Sequence, residues 1–423
     1  MRALKAILAV ALFWLANMGA TVTAAPASGP LAVRAQELVA LLNGTIEPAA
    51  AMSPDMLRQL PAAQISASFA QIRAAHGKAV AVESVDAQSA SSALATVRTE
   101  KARLRLRLAI EPQAPHRLIG LLVEGLETLN DSTDSVVAEL GRLPGEVTLS
   151  VAALGDGAPR SLAARKPDQA LAIGSTFKLF ILGELVRQIR AGERSWSDVV
   201  PLAHHSLPSG ILQDWPAGSP MTIHSLAALM ISRSDNTATD TLLHLIGREK
   251  VEQALPVLGV MAAERNRPFL STREAFALKA DAALTERWTH ADAAQRRAML
   301  PALTGAAIDP AALAGGPKAI GTVEWFASPD DLVRAMDWLR RNGDETAHRI
   351  LAINPGLGAG AARDFDYLGY KGGSETGVLQ LTFLLRRKSG EWRVVTASWN
   401  DPAAAVDEAK FVGLVGRLVA LQK

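Results

Sequence analysis

The sequence predicts an α/β sandwich, an antiparallel sheet with flanking helices, preceded by a smaller α+β unit. Three observations lead there. The chain ends in a strand at 365–371, a strand at 378–386, a turn at Lys388-Ser389-Gly390, a strand at 391–399 and a helix at 402–421. A strand at 146–153 lies far upstream with helical patterns between, so that first and last segments close one sheet. Ahead of it the apolar period changes from helical spacing to strict alternation, and 423 residues exceed what one core usually organises.

The first residues carry a secretory pattern: Arg2 and Lys5, an apolar stretch from Ala6 to Leu15, then small residues around Val22-Thr23-Ala24-Ala25. We expect a signal peptide over 1–24 and an exported, periplasmic or secreted protein. The apolar run is shorter than the roughly 20 residues that span a bilayer, so no stable membrane anchoring is expected. Leu31, Leu38, Val39, Leu41 and Leu42 fit one helical face, with Asn43-Gly44 as its stop, and Ile65, Phe69 and Ile72 mark a second helix over 61–76. Segments 79–84, 92–98, 102–110 and 117–123 alternate as half-buried strands do. Arg103, Arg105 and Arg107 read as the solvated face of the third. These boundaries place the α+β unit at 27–125, a linker at 126–143 around the polar run 130–134, and the main domain at 144–423, with a short helix running to Leu143 just ahead of the strand at 146–153. In that domain a long helix follows Gly174, and further helices are predicted over 223–232 and 237–246.

Composition narrows the function. Removing Arg2 and Lys5 takes the 44 cations to 42, equal to the 42 acids, so the mature chain is near neutral. Nothing in that balance attracts nucleic acid or an anionic membrane. The absence of cysteine excludes disulfides, Cys-ligated metals, a thiol nucleophile and a lipid anchor on cysteine. The adjacent pair His204-His205 does not present two ligands on one helical face and reads as a surface loop. No metal or cofactor is expected, and there is no His-Glu-x-x-His, Gly-x-Ser-x-Gly or P-loop pattern.

Three short patterns can carry chemistry. In Ser175-Thr176-Phe177-Lys178, at the start of a predicted helix, i,i+3 spacing puts the Lys178 amine within reach of the Ser175 hydroxyl. The helix N-terminus offers backbone N–H groups to a developing oxyanion. With 26 serines and 12 lysines, about one Ser-x-x-Lys arises by chance, and this is the only one. In Ser234-Asp235-Asn236 a loop serine can relay a proton and an amide can hold a substrate carbonyl, although the same residues suit a helix N-cap. In Lys371-Gly372-Gly373-Ser374 a strand cation can bind a carboxylate while paired glycines allow close backbone approach. Ser398-Trp399-Asn400 at a strand end and Lys388-Ser389-Gly390 in a hairpin repeat parts of these patterns without their context.

The order Ser-x-x-Lys, Ser-Asp-Asn, Lys-x-Gly resembles the three-part signature of class A β-lactamases and penicillin-recognising serine hydrolases. The 59 residues from Ser175 to Ser234, the segment Leu207-Pro208-Ser209-Gly210-Ile211-Leu212 and the segment Ser374-Glu375-Thr376-Gly377-Val378 add to the likeness, which covers about 280 residues. The resemblance implies a β-lactamase/transpeptidase-like sandwich with an all-helical lobe. It makes Ser175 the acylated nucleophile, Lys178 its proton partner and Ser234 the relay. Asn236, Lys371 and Ser374 would line the substrate cleft, with the backbone N–H groups of Ser175 and Ser374 as oxyanion hole. The implied partner is a small-molecule β-lactam, ester or peptide. The N-terminal unit resembles the steroid-isomerase-like cone fold that precedes such domains in some secreted hydrolases, through Leu41-Leu42-Asn43-Gly44 and Leu118-Ile119-Gly120-Leu121-Leu122. A scaffolding or cleft-shaping role follows from that likeness.

Two departures qualify the expectation. Gly372 stands where the family pattern has threonine or serine, which removes a hydroxyl that would contact a substrate carboxylate. The Glu-x-x-x-Asn element that supplies the deacylating base is missing; Glu264, Glu274 and Glu324 are the candidates left, and the interval from Ser234 to Lys371 suggests an insertion around 275–320. The sequence therefore leaves three readings: a β-lactamase-like hydrolase, an esterase or DD-peptidase-like enzyme with poor β-lactam turnover, and a β-lactam-binding sensor that is acylated without turnover.

Overall fold

The computed structural model describes residues 25–26, 29–206 and 209–423; the expected signal peptide over 1–24 and Leu207-Pro208 of the quoted segment lie outside the described residues. The chain divides into two compact units between Asp131 and Ser132.

In the first unit, helix α1 (Pro30–Asn43) starts on proline and stops at Gly44, whose φ of 72° only glycine adopts without strain. Helix α2 spans Ala62–His76. Strands β1 (Ala79–Ser89), β2 (Ser92–Thr99), β3 (Ala102–Ile110) and β4 (Leu118–Thr128) form an antiparallel meander, with Ala25–Pro26 pairing along β1. Leu104, Leu106 and Leu108 on one face of β3 share a core with Leu38, Leu41 and Leu42 of α1. On its other face, Arg107 pairs with Glu124 on the adjacent β4, and Arg103 reaches across β2 to Glu83 on β1. The outward alternation is therefore a set of cross-strand ion pairs.

The linker expected at 126–143 is corrected by the structure. Strand β4 runs on to Thr128, and helix α3 (Thr133–Leu140) buries Val136 and Leu140 in the core of the second unit. The polar run 130–134 supplies a helix cap: Ser132 and Ser135 form a reciprocal capping box.

The second unit is built on strands β5 (Glu146–Leu154), β6 (Arg160–Arg165), β7 (Tyr367–Glu375), β8 (Val378–Arg386) and β9 (Trp392–Asn400), all antiparallel in the order β7-β8-β9-β5-β6. Both faces are covered, so β8 reads as an almost unbroken apolar run rather than an alternation. One face packs Phe383, Val395 and Ala397 against Phe411 and Val415 of the last helix; the other packs Leu384, Val394 and Ala152 with a large helical cluster. That helical part contains α4 (Lys178–Arg190), α5 (Ile223–Ser232), α6 (Asn236–Ile246), α7 (Thr272–Ala280), α8 (Ala282–His290), α9 (Ala293–Thr304) and α10 (Pro329–Asn342), and the chain closes with α11 (Glu408–Ala420). The stretch suspected of insertion, 275–320, folds mainly as α7, α8 and α9. The last helix begins six residues later than expected, because Asp407 caps it by accepting the Lys410 N–H. Strand β7 extends beyond residue 371, so that Lys371-Gly372-Gly373-Ser374 lies wholly on it. Since β7 ends the sheet order, its free edge is available to a ligand.

Candidate active site

Gly174–Phe177 forms a 3-10 turn that leads directly into α4. Its neighbours are held firmly: Thr176 Oγ1 donates to buried Gln380 at 2.5 Å, and Phe177 stacks on Trp325 with ring centroids 3.7 Å apart. Just ahead of them Ser175 remains half-buried. The turn lies directly on β7. A Cβ on Gly373 would fall 2.1 Å from Ile173 O and 2.5 Å from Ser175 N, and one on Gly174 would fall 3.1 Å from Ser374 N. Only paired glycines allow this approach, which brings the backbone of Ser175 and of Ser374 together.

Lys178, the first residue of α4 and one turn beyond Ser175, is fully buried. Its Nζ donates to Ser234 O at 2.6 Å, Ser234 Oγ at 3.0 Å and Asn236 Oδ1 at 2.8 Å. Three acceptors match the three protons of an ammonium, and Ser175 Oγ is not among these partners. Lys371 Nζ donates to the same Ser234 Oγ at 3.1 Å, so one hydroxyl bridges two buried lysines. Burial, and secondarily the charge of Lys371, holds the Lys178 amine well below the usual lysine range, with Asp240 and Asp235 opposing. Burial brings Lys371 down to about 7. Ser234 has φ 55°, an unfavourable region for serine, and its carbonyl is pinned by Ser209 Oγ as well as by Lys178. Asp235 does cap α6, accepting from Ala238 N, and its second oxygen holds Ile211 N and Leu212 N. The capping and functional readings of this triplet thus divide between its residues: the middle one holds the loop while Ser234 and Asn236 face Lys178.

An open cleft of about 360 Å³ is lined by Ser175, Ser234, Asn236, Lys371 and Ser374. Lys178 lies beneath it. The sequence-derived set is therefore brought to one place from four elements separated by almost 200 residues.

Of the candidate bases, Glu264 is exposed and paired with Arg267. Glu274 is buried but committed to a bidentate pair with Arg248 and to the cap of α7. Glu324 does line the cleft. It shares Lys279 with Glu375, each carboxylate 2.5 Å from Nζ. Lys279 and Glu324 are almost wholly buried, whereas the Glu375 side chain keeps 21% exposure at the cleft. Burial first, then repulsion from Glu324, pushes the Glu375 carboxyl well above its usual range, with Lys279 opposing. Burial weighs against the Lys279 ammonium, but the two carboxylates outweigh it and raise its pKa.

Strand geometry explains the layout. Side chains alternate, so Lys371, Gly373 and Glu375 share one face of β7. Gly373 receives the Ser175 turn, and the two charged residues flank it, each about 6.7 Å along the strand. Sequence reasoning missed Glu375 and Lys279. The alternation after Lys371 was a readable signal for Glu375; the contact with Lys279, from α7, was not.

His204 stacks on His244 at 3.8 Å, and among the described residues no group of three or more His, Cys, Asp or Glu could hold a metal ion. None of the described helices is long and apolar enough to cross a membrane.

No curated protein sequence matches the chain. Several solved structures do. A beta-lactamase from Sphaerobacter thermophilus is 22% identical, with TM-score 0.47 over 68% of this chain and 94% of that one. A beta-lactamase from Chitinophaga pinensis is 17% identical, with TM-score 0.48 over 68% and 97%. A mutant of PBP-A, solved as an acyl-enzyme complex with penicillin G, is 17% identical, with TM-score 0.47 over 68% and 94%. Residues 132–312, which include Ser175, Lys178, Ser234 and Asn236, match the model of the beta-lactamase enzyme family.

Proposed function

We propose that the second unit is an exported serine hydrolase that turns over β-lactams or related amides and esters through a Ser175 acyl-enzyme. The observation that carries this reading is the buried Lys178, held by Ser234 and Asn236 one turn beyond a serine whose backbone is pressed against Ser374. In acylation the Ser175 proton passes to neutral Lys178 as Oγ bonds the substrate carbonyl carbon. The N–H groups of Ser175 and Ser374 receive the oxyanion. Ser234 then protonates the leaving nitrogen or oxygen and is resupplied through the lysines bonded to it. Export rests on the pattern of residues 1–24, and amino-terminal sequencing of protein recovered outside the cytoplasm should start near Ala25.

The carboxylate pair favours a hydrolase over a sensor that stays acylated. Glu375, ionised, is the base for deacylation: it takes a proton from water while the water oxygen bonds the acyl carbon. The ester bond to Ser175 then breaks and Oγ regains a proton. A raised carboxyl pKa suits this task, because a base works best when its pKa approaches the working pH. Lys279 and Glu324 are positioning residues for it. Hydrolysis of a small activated ester tests the reading: many equivalents of product per protein are expected, and one equivalent followed by arrest would show a trap.

The two lysines give a pH signature. Acylation needs Lys178 neutral, so its rate rises with pH through that group's lowered pKa. Recognition of a substrate carboxylate needs Lys371 charged, so kcat/KM for a carboxylate-bearing substrate should fall as pH rises through about 7. An ester without a carboxylate should lack that falling limb.

A further inference from the structure

We propose that Tyr370 supplies the hydroxyl that recognises a substrate carboxylate in this cleft, taking the place of the side chain that Gly372 lacks. The inference rests on the acyl-enzyme reading above and adds to it the residue that, beside Lys371, selects acyl donors carrying a carboxylate.

Three observations converge. Tyr370 and Gly372 occupy the same face of β7, and a Cβ on Gly372 would lie 2.0 Å from the Tyr370 hydroxyl oxygen. The phenol therefore fills the space from which a serine or threonine at 372 would present its own hydroxyl. Second, the ring is fixed: a Cβ on Gly356 would be 2.7 Å from its carbons, and Phe383 packs 4.8 Å away between centroids. Gly356 has φ 72°, so a glycine there serves both the turn and the close approach to the ring. Third, the Tyr370 hydroxyl has no hydrogen-bond partner among the described residues, although Tyr370 lines the cleft beside Lys371, Gly372 and Ser374. A confined phenol with an unused donor, next to a lysine, suits an anionic acceptor. Burial lifts its pKa to about 12, so the group keeps the proton it has to donate.

The test uses a chromogenic cephalosporin and its carboxylate methyl ester, which differ at the group in question. The full chain is acylated by each, and the rate of adduct formation is followed by intact mass. For the wild type the acid should acylate faster than the ester. In Tyr370→Phe the ratio of acid to ester rates should fall about tenfold to a hundredfold, the range for a charge-assisted hydrogen bond. Tyr370→Leu alone should lose the ratio as Tyr370→Phe does, and Tyr370→Leu with Gly372→Ser should recover much of it, because the serine hydroxyl then occupies the space the phenol has left. Thermal melting of each variant separates a folding defect from a lost contact. An unchanged ratio in Tyr370→Phe, or a wild-type ratio near one, overturns the assignment and leaves the acyl-enzyme reading standing. Failure of both compounds to acylate the wild type overturns that reading and the assignment with it.

Discussion

Lys178→Met should lower the rate of Ser175 acylation by about 10²- to 10⁴-fold, the usual contribution of a positioned base, while the protein stays folded. Methionine fills the buried space with a similar unbranched chain and carries no charge to desolvate. Against that, Ser234 O, Ser234 Oγ and Asn236 Oδ1 each lose a donor, and a buried acceptor left unpaired costs about 1–3 kcal/mol. Removing the charge offsets part of that cost, so a modest drop in melting temperature is expected beside the large kinetic loss. The rising limb of the acylation pH profile should disappear with the amine. A variant that acylates at the wild-type rate would remove Lys178 from the reaction.

Glu375→Gln should have its effect at the other half of the cycle. The acyl-enzyme should form at nearly the wild-type rate and then persist, with deacylation slowed about 10²- to 10⁴-fold. The amide keeps the size of the side chain and an acceptor for Lys279, so packing is largely retained. In the wild type, deacylation should rise with pH as Glu375 loses its proton, in a range above that of an ordinary carboxylate. Glutamine should flatten that limb, and Glu375→Asp should restore part of the rate. Rapid-mixing mass spectrometry separates the two steps. Equal slowing of acylation and deacylation, with a lower melting temperature, would mean that the cluster only holds the cleft wall together.

Much of the second unit was legible because its signals are local. The strand–turn–strand at Lys388-Ser389-Gly390 follows from apolar runs broken by turn residues, and the structure gives β8, a turn with φ 89° at Gly390, and β9. The three patterns around Ser175, Ser234 and Lys371 identified residues that the fold brings to one cleft. Harder to read were features made by tertiary contact. Asn130–Asp134 has the composition of a linker, yet Ser132 spends its side chain capping a helix. Glu274 and Glu324 look alike in sequence; only the fold gives one to Arg248 and the other to Lys279 at the cleft. The loss of a side chain at Gly372 read as a missing contact: alternation puts Tyr370 on the same face, but only packing of its ring against Gly356 and Phe383 holds its hydroxyl in that space.

The most direct measurement is a time course of intact mass for the mature protein mixed with a cephalosporin, with Ser175→Ala in parallel. On the wild type a single covalent adduct that localises to Ser175 and decays as product accumulates is expected, with no adduct on the variant. An adduct of equal yield on Ser175→Ala, or product formed by that variant at the wild-type rate, would remove Ser175 as the nucleophile.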